Sequence, residues 1–189
     1  MNGEFNIPWR RYALIAELTK RFSASSQQFG KTALQKLVFL LQEIYGADFG
    51  YEFELYSYGP FTAELLGDLD VVEQLGAVKI EPVQSYTGGY IINKTDRTDI
   101  LIKKSPEDFN GPISDVFNDL ERDFGNLTAR ELELRATIVF IERSYQKKGE
   151  SISKGSLIKI VNEIKPKYKN EEICEAITEL SKNTYISLV

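Results

Sequence analysis

The sequence predicts a mainly helical protein of the α+β class, with a winged-helix-like N-terminal half and a helical C-terminal half. Apolar residues recur at helical spacing in most segments, which is typical of amphipathic helices around a core. One short segment alternates between apolar and polar residues, which predicts a short strand. Two short strand-like segments flank Gly88-Gly89, and this arrangement predicts a β-hairpin. Three helices followed by a hairpin is the element order of a winged helix-turn-helix domain.

The first two predicted helices lie near the N-terminus. The first spans residues 9–22, and Pro8 suits its first turn. The second covers residues 32–45, where Thr32 and Gln35 match a capping box.

The next segment combines the strand, a third helix and the hairpin. Residues 51–58 alternate and predict the strand, which Gly59 and Pro60 end. We place Pro60 in the first turn of the third helix, because proline suits that position. The hairpin strands are expected over residues 77–83 and 90–93.

Amphipathic helices fill the C-terminal half. Thr128 and Glu131 match a second capping box, and Asn170 is an expected N-cap. The helices are predicted over residues 112–124, 128–148, 156–164 and 171–182.

The best candidate seam between the halves is the stretch 94–111. We therefore divide the chain into a winged-helix-like region, 1–95, and a helical region, 96–189, packed on it as one unit.

Composition narrows the function. The chain has no histidine, which excludes Ser-His and Cys-His nucleophile pairs and histidine zinc sites. Its one cysteine, Cys174, cannot form an intramolecular disulfide, and its apolar neighbours predict a buried helical position. We expect a protein that is not an enzyme and has no metal or cofactor, although an enzyme using paired carboxylates and Mg²⁺ stays open.

Charge and hydropathy bear on partners and location. The formal net charge is −5, so a global basic footprint for nucleic acid is missing. No stretch has the roughly 20 apolar residues of a membrane span, and the N-terminus lacks an apolar signal core. We expect a cytoplasmic protein with no membrane partner.

Two charged clusters stand out. Between Glu52 and Glu73 there are six carboxylates and no Lys or Arg, which makes the third helix a poor DNA reader. This face is either a solvated surface or a docking surface for a basic partner. Lysines concentrate between Arg143 and Lys169, where they are solvated or contact nucleic acid or an acidic partner.

The most distinctive stretches are Leu34-Gln35-Lys36-Leu37-Val38-Phe39 and Tyr56-Ser57-Tyr58-Gly59-Pro60-Phe61, followed by a leucine-rich helix. This pattern, over roughly residues 31–76, resembles the Panacea domain of SocA-like antitoxins, and more closely its uncharacterised YwgA-type relatives. Phe61 stands where many Panacea members carry an aliphatic residue. The resemblance implies a small helical domain that neutralises a toxin, usually one encoded beside it, by direct contact. Some members act as adaptors that deliver a toxin to a protease.

The sequence therefore predicts a non-catalytic, antitoxin-like module that covers a partner protein. The predicted contact residues are Tyr56, Tyr58, Pro60, Phe61, Glu64 and Asp68. A homo-oligomer is also compatible with the sequence. The alternative is a winged-helix DNA-binding regulator that contacts nucleic acid through lysines. These are Lys147, Lys148, Lys154, Lys165 and Lys167 of the C-terminal half, or Lys79 and Lys94 of the β-hairpin.

Overall fold

The structure is a computed structural model that describes residues 7–24, 28–83, 88–106, 109 and 111–189. Within these residues it contains eight helices and two small antiparallel sheets, which confirms the mainly helical α+β prediction. The elements are α1 (Trp9–Phe22), α2 (Lys31–Tyr45), β1 (Glu54–Tyr56), β2 (Gly59–Phe61), α3 (Ala63–Gln74), β3 (Val78–Pro82), β4 (Tyr90–Lys94), α4 (Thr98–Ile102), α5 (Ile113–Phe124), α6 (Ala129–Gln146), α7 (Lys154–Ile164) and α8 (Asn170–Lys182).

Helices α1 and α2 supply much of the core. Most of their central residues are buried, because apolar side chains occur around most of each helix. Helix α1 packs against α3, α4 and β4, whereas α2 packs against β2, α5 and α6. Helix α6 also contacts α7 and α8. One cluster of buried side chains therefore includes residues from both halves of the chain.

Features set by neighbouring residues match their predictions. The second capping box is present: the Thr128 N–H donates to Glu131 Oε2 at 2.8 Å, and the Glu131 N–H donates to Thr128 Oγ1 at 3.2 Å. The predicted hairpin is the antiparallel pair β3–β4, in which Ile80 lies opposite Ile92. Local hydrogen bonds determine the capping box. The hairpin is also held by a distant residue, because the Ile92 N–H donates to the Phe29 carbonyl at 2.8 Å.

The predicted 51–58 strand is wrong in extent. Only Glu54–Tyr56 forms β1, and the chain returns at once as β2. The backbone of Tyr51 binds a helix instead of a strand, because the Gln42 side chain donates to the Tyr51 carbonyl at 2.9 Å. It also accepts from the Tyr51 N–H at 3.3 Å.

The predicted position of Pro60 is also wrong. Pro60 lies in β2 opposite Leu55, and α3 begins only at Ala63. The intervening Thr62 is extended, and both its backbone polar groups bind the Gln35 side chain, at 3.0 Å and 2.7 Å. This contact fixes Thr62 outside the helix.

The same contact overturns the predicted Thr32–Gln35 capping box. The N-cap position of α2 is Gly30, with no side-chain cap, and Gln35 is buried against Thr62. The Gln35 side-chain amide, which the local pattern predicted to cap α2, therefore binds the backbone of Thr62 instead.

Three smaller differences occur in the C-terminal half. Helix α4 lies inside the 94–111 stretch, where Thr98, Leu101 and Ile102 are buried; residues 107, 108 and 110 lie outside the described residues. The N-cap position of α8 is Lys169, whose N–H donates to Glu172 at 2.8 Å, and not Asn170. Cys174 lies on a helix as predicted, but it is half-buried, since it sits beside the apolar face of α8.

Candidate functional site

The candidate site is built around residues 54–61, which we call the aromatic hairpin. Tyr56 lies opposite Gly59, so Ser57 and Tyr58 form a two-residue turn. Tyr56 and Tyr58 are each 66% exposed, and no described aromatic side chain is more exposed. The turn thus presents two large rings to solvent, and exposed Tyr is a typical interface anchor.

The hairpin sits very close to the helices beneath it. Gly59 has φ +83°, a conformation that favours glycine. A Cβ at Gly59 would lie 3.0 Å from Thr137 Oγ1 on α6 and 3.3 Å from Lys36 Cε on α2. Only glycine therefore allows this turn to pack so tightly on both helices.

Lys36 holds the hairpin from below. Lys36 is buried, with 2% of the residue exposed, and its Nζ donates to the Pro60 carbonyl at 2.7 Å. Burial lowers the pKa of Lys36 to about 8, although the nearby carboxylate of Glu133 opposes that change.

The C-terminal half holds the turn from the other side. Buried Lys165 donates to the Ser57 carbonyl and, at 2.9 Å, to Glu133. Lys167 binds the second carboxylate oxygen of Glu133 at 2.8 Å, and its Nζ lies 5.2 Å from the centre of the Tyr58 ring. We call Lys36, Glu133, Lys165 and Lys167 the charge cluster. It places three amino groups near one carboxylate.

These contacts explain the pattern that carries the family resemblance. Gln35 and Lys36 of α2 bind the backbone of Thr62 and Pro60, and Gly59 provides the close approach. The two sequence stretches thus hold one another in place. Their combined effect is to fix the exposed tyrosines on a rigid support.

The predicted partner-binding residues divide into two groups. Tyr56 and Tyr58 are exposed and Phe61 is half-buried, with its ring centre 5.7 Å from that of Tyr56. Pro60 is buried and Glu64 is exposed. Three of the six residues therefore line one aromatic surface.

The two predicted contact residues on α3, Glu64 and Asp68, form internal contacts. Arg11 on α1 donates to Asp68 at 2.7 Å and to Glu64 at 2.6 Å. The buried Asp68 also accepts from the Tyr51 hydroxyl at 2.7 Å, and burial together with this bond raises the pKa of Tyr51. Asp68 thus joins α3 to α1 and to the segment before the hairpin.

The predicted nucleic-acid lysines do not form one surface of free cations. Lys165 is 3% exposed and Lys167 is paired with Glu133. Exposed Lys147 and Lys154 bind Glu43 at 3.3 Å and Thr178 at 2.9 Å, and Lys148 is exposed.

Two adjoining depressions lie beside the aromatic hairpin and share Lys31 and Thr32. The first, of about 240 Å³, is lined by Gln35, Lys36, Tyr56, Tyr58, Phe61 and Leu66 in addition to the shared pair. The second, of about 470 Å³, is lined by Gln28, Gly30, Ala33, Gly88, Gly89, Tyr90, Thr128, Ala129 and Arg130 in addition to the pair. Sequence reasoning missed Lys31, Tyr90 and Arg130. The local signals were the aromatic Tyr90 directly after a glycine pair and Gly30-Lys31-Thr32, which resembles the end of a phosphate-binding loop but lacks its first glycine.

Comparison with known proteins adds no assignment: no protein-family model and no curated protein matches the chain. In the part of the chain that the structure describes, no helix is long and apolar enough to cross a membrane. Among the same residues, no group of three or more Asp, Glu or Cys side chains could hold a metal ion.

Proposed function

We propose that this protein is a non-catalytic, antitoxin-like module that acts in the cytoplasm by binding another protein through the aromatic hairpin. The observation that carries the proposal is the combination of two tyrosines, each 66% exposed, with a backbone that is fixed from below by buried residues. A rigid turn loses little conformational freedom when a partner covers it, so its apolar area contributes efficiently to affinity.

The resemblance to the Panacea domain is part of this proposal. The stretches that carry it are those that fix the hairpin, and a toxin encoded beside the gene is the partner that the resemblance suggests. Covering the active or target-binding surface of such a toxin would need shape complementarity and no bond-breaking chemistry.

We further propose that the N-terminal half is winged-helix-like. The element order supports this, because α1, α2 and α3 precede the β3–β4 hairpin, and α1 contacts both α3 and β4. In this arrangement α3 would be the recognition helix. It carries Glu64, Asp68, Asp70 and Glu73 and no Lys or Arg.

The DNA-binding alternative therefore has less support than protein binding. Carboxylates on α3 would repel phosphates. In the β3–β4 hairpin, the Lys79 Nζ is paired with the Glu81 carboxylate at 2.8 Å. A mobility-shift assay with duplex DNA at low salt tests the alternative, and a specific shift there would favour it over the present proposal.

The proposal is tested by co-expressing the protein with the products of neighbouring genes and placing a photo-crosslinking residue at position 58. We expect one neighbour to be toxic alone, to be neutralised in the presence of this protein, and to crosslink at position 58. Tyr58→Ala should abolish neutralisation. Its folding should survive, since Tyr58 contributes only ring contacts at the surface, with an expected cost below about 1 kcal/mol.

Ile100→Ala is the matched control, because Ile100 is 60% exposed but lies on α4. It should neutralise as well as the wild type. If Tyr58→Ala and Tyr56→Ala neutralise as well as the wild type, and no neighbour crosslinks to a photo-reactive residue at position 58, the hairpin is not the contact surface. If no neighbour is neutralised, the antitoxin proposal fails.

A further inference from the structure

The two depressions beside the aromatic hairpin form one groove around Lys31 and Thr32, and its charge is one-sided. Lys31, Lys36 and Arg130 line it, and none of the described lining residues is Asp or Glu. The groove is thus a local positive region on an acidic protein.

Two of these three cations, Lys31 and Lys36, form no ion pair with a described carboxylate. No described carboxylate lies within ion-pair distance of Lys31, which instead has its Nζ 4.8 Å from the centre of the Tyr90 ring. In the charge cluster under the hairpin, Glu133 is the only carboxylate paired with Lys165 and Lys167 among the described residues, and it also faces Lys36. Arg130 binds both carboxylate oxygens of Glu172, at 2.6 Å and 3.3 Å, but its side chain remains half-exposed. An incoming anion would therefore be attracted electrostatically.

The groove also has an apolar end. Tyr56, Tyr58, Phe61 and Leu66 line the smaller depression, which is large enough for one aliphatic or aromatic side chain. Lys31 and Arg130 line the other depression, and the Lys31 Nζ lies 4.8 Å from the centre of the Tyr90 ring there. The order along the groove is thus an apolar pocket followed by positive charge.

We propose that the groove binds a short acidic peptide segment of the partner, with one apolar side chain in the smaller depression beside Tyr56 and Phe61 and carboxylates at Lys31 and Arg130. This inference rests on the proposed function and names the chemistry of the partner. It differs from the sequence-based idea of a basic partner, because the α3 carboxylates Glu64 and Asp68 already bind Arg11.

A peptide fits this surface better than a nucleic acid. Glu54 is exposed and lies two residues from Tyr56 on β1, so both side chains are on the same face. A phosphate chain that continued past the hairpin would meet this carboxylate and then the acidic α3. A short peptide needs positive charge only along the second depression.

The test uses the full chain and a phage-displayed library of random linear peptides. We expect enriched peptides to combine Asp or Glu with one aromatic or aliphatic residue. A synthetic version should bind the wild type more weakly as salt rises, and replacing its Asp and Glu by Asn and Gln should weaken binding about tenfold or more.

Lys31→Glu should weaken binding by a similar factor, and Arg130→Gln should weaken it too. Lys31→Glu should stay folded, because an acidic residue is favourable in the first turn of α2. Lys148→Glu is the control. It makes the same charge change as Lys31→Glu but lies beyond the C-terminal end of α6, whereas Arg130 lies at the N-terminal end, so it should leave binding unchanged. Thermal unfolding by circular dichroism verifies that each variant is folded.

The inference is overturned if no peptide is enriched, if enriched peptides are neutral or basic, or if Lys31→Glu binds as tightly as the wild type. Tighter binding of an oligo-dT strand than of the peptide, lost in Lys31→Glu, would assign the groove to nucleic acid instead. These results are independent of the neutralisation assay. A partner that crosslinks at position 58 but binds Lys31→Glu normally would leave the proposed function standing and remove only the acidic segment.

Discussion

The Nζ of Lys36 and the carbonyl of Pro60 are 2.7 Å apart, so a buried amine on α2 binds the backbone of β2, 24 residues further along the chain. The bond joins the two sequence stretches on which the family resemblance depends. It also leaves the tyrosines on the solvent side of the hairpin. Burying a charged amine is unfavourable, so the stability of the protein should depend on whether Lys36 is protonated.

We predict that stability depends on the protonation of Lys36. Burial lowers its pKa to about 8 from an ordinary 10.5, so between these pH values the unfolded chain binds more protons than the folded one. The contribution of Lys36 to unfolding free energy should therefore increase as pH rises through this window, by about 3 kcal/mol at most. Below pH 8 the full penalty applies.

The measurement compares the wild type with Lys36→Met by urea unfolding at both ends of the window. The unfolding free energy of the wild type should increase relative to that of Lys36→Met at the higher pH. Lys148→Met removes an exposed lysine and shows what the loss of any one lysine does. A difference between wild type and Lys36→Met that stays constant with pH would contradict the prediction.

Gly59→Ala should destabilise the protein by about 1–3 kcal/mol, because it combines a positive φ with a contact of 3.0 Å to Thr137 Oγ1. Gly67→Ala is its control. Gly67 lies within α3, and the space that a methyl group would occupy there is open, so alanine should stabilise the helix by about 0.5–1 kcal/mol. Opposite signs in chemical denaturation are expected, and a neutral Gly59→Ala would show that the turn adapts.

These two positions show what the sequence could and could not predict. The glycine–proline break before α3 is visible in the sequence, but its geometry depends on Thr137 and Lys36, which are distant in the chain. Likewise, the same pattern predicts two capping boxes. Only Thr128–Glu131 forms, since a buried backbone near residue 62 competes for Gln35.

The site was predictable to a similar degree. The aromatic character of residues 56–61 is local, and the exposure of Tyr56 and Tyr58 is compatible with their predicted role in contacting a partner. Lys165 looks like one member of a basic run in the sequence, but it is buried against Glu133. Such pairing depends on tertiary contacts, so spacing along the chain cannot reveal it. Lys31, Tyr90 and Arg130 meet in space only after folding.

Asp68→Asn should cost about 2 kcal/mol, because it weakens the charged hydrogen bonds from Arg11 and the bond from the buried Tyr51 hydroxyl. Asp70→Asn makes the same chemical change at an exposed position of α3 and should alter stability by less than about 0.5 kcal/mol. Equal effects in thermal unfolding would mean that the Arg11–Asp68 contact contributes nothing special.

Glu133→Gln should be the most destabilising of these changes, at about 3–5 kcal/mol, because it leaves buried Lys165 without its carboxylate. The exposed Glu163→Gln on α7 is the control and should be nearly neutral. Urea unfolding at neutral pH measures both. If Glu133→Gln is as stable as the wild type, the lysines must lose their charge or reach water.

Because Glu133, Thr137 and Lys165 support the aromatic hairpin from α6 and the end of α7, the hairpin is not a portable recognition module. A shortened chain ending near residue 95 would keep all residues of the sequence pattern that resembles the Panacea domain, but it would lose the residues of α6 and α7 that support the hairpin. Grafting residues 54–61 onto another scaffold would fail for the same reason. Engineers who wish to redirect binding should therefore vary the rings of Tyr56 and Tyr58 and leave the distant supporting residues intact.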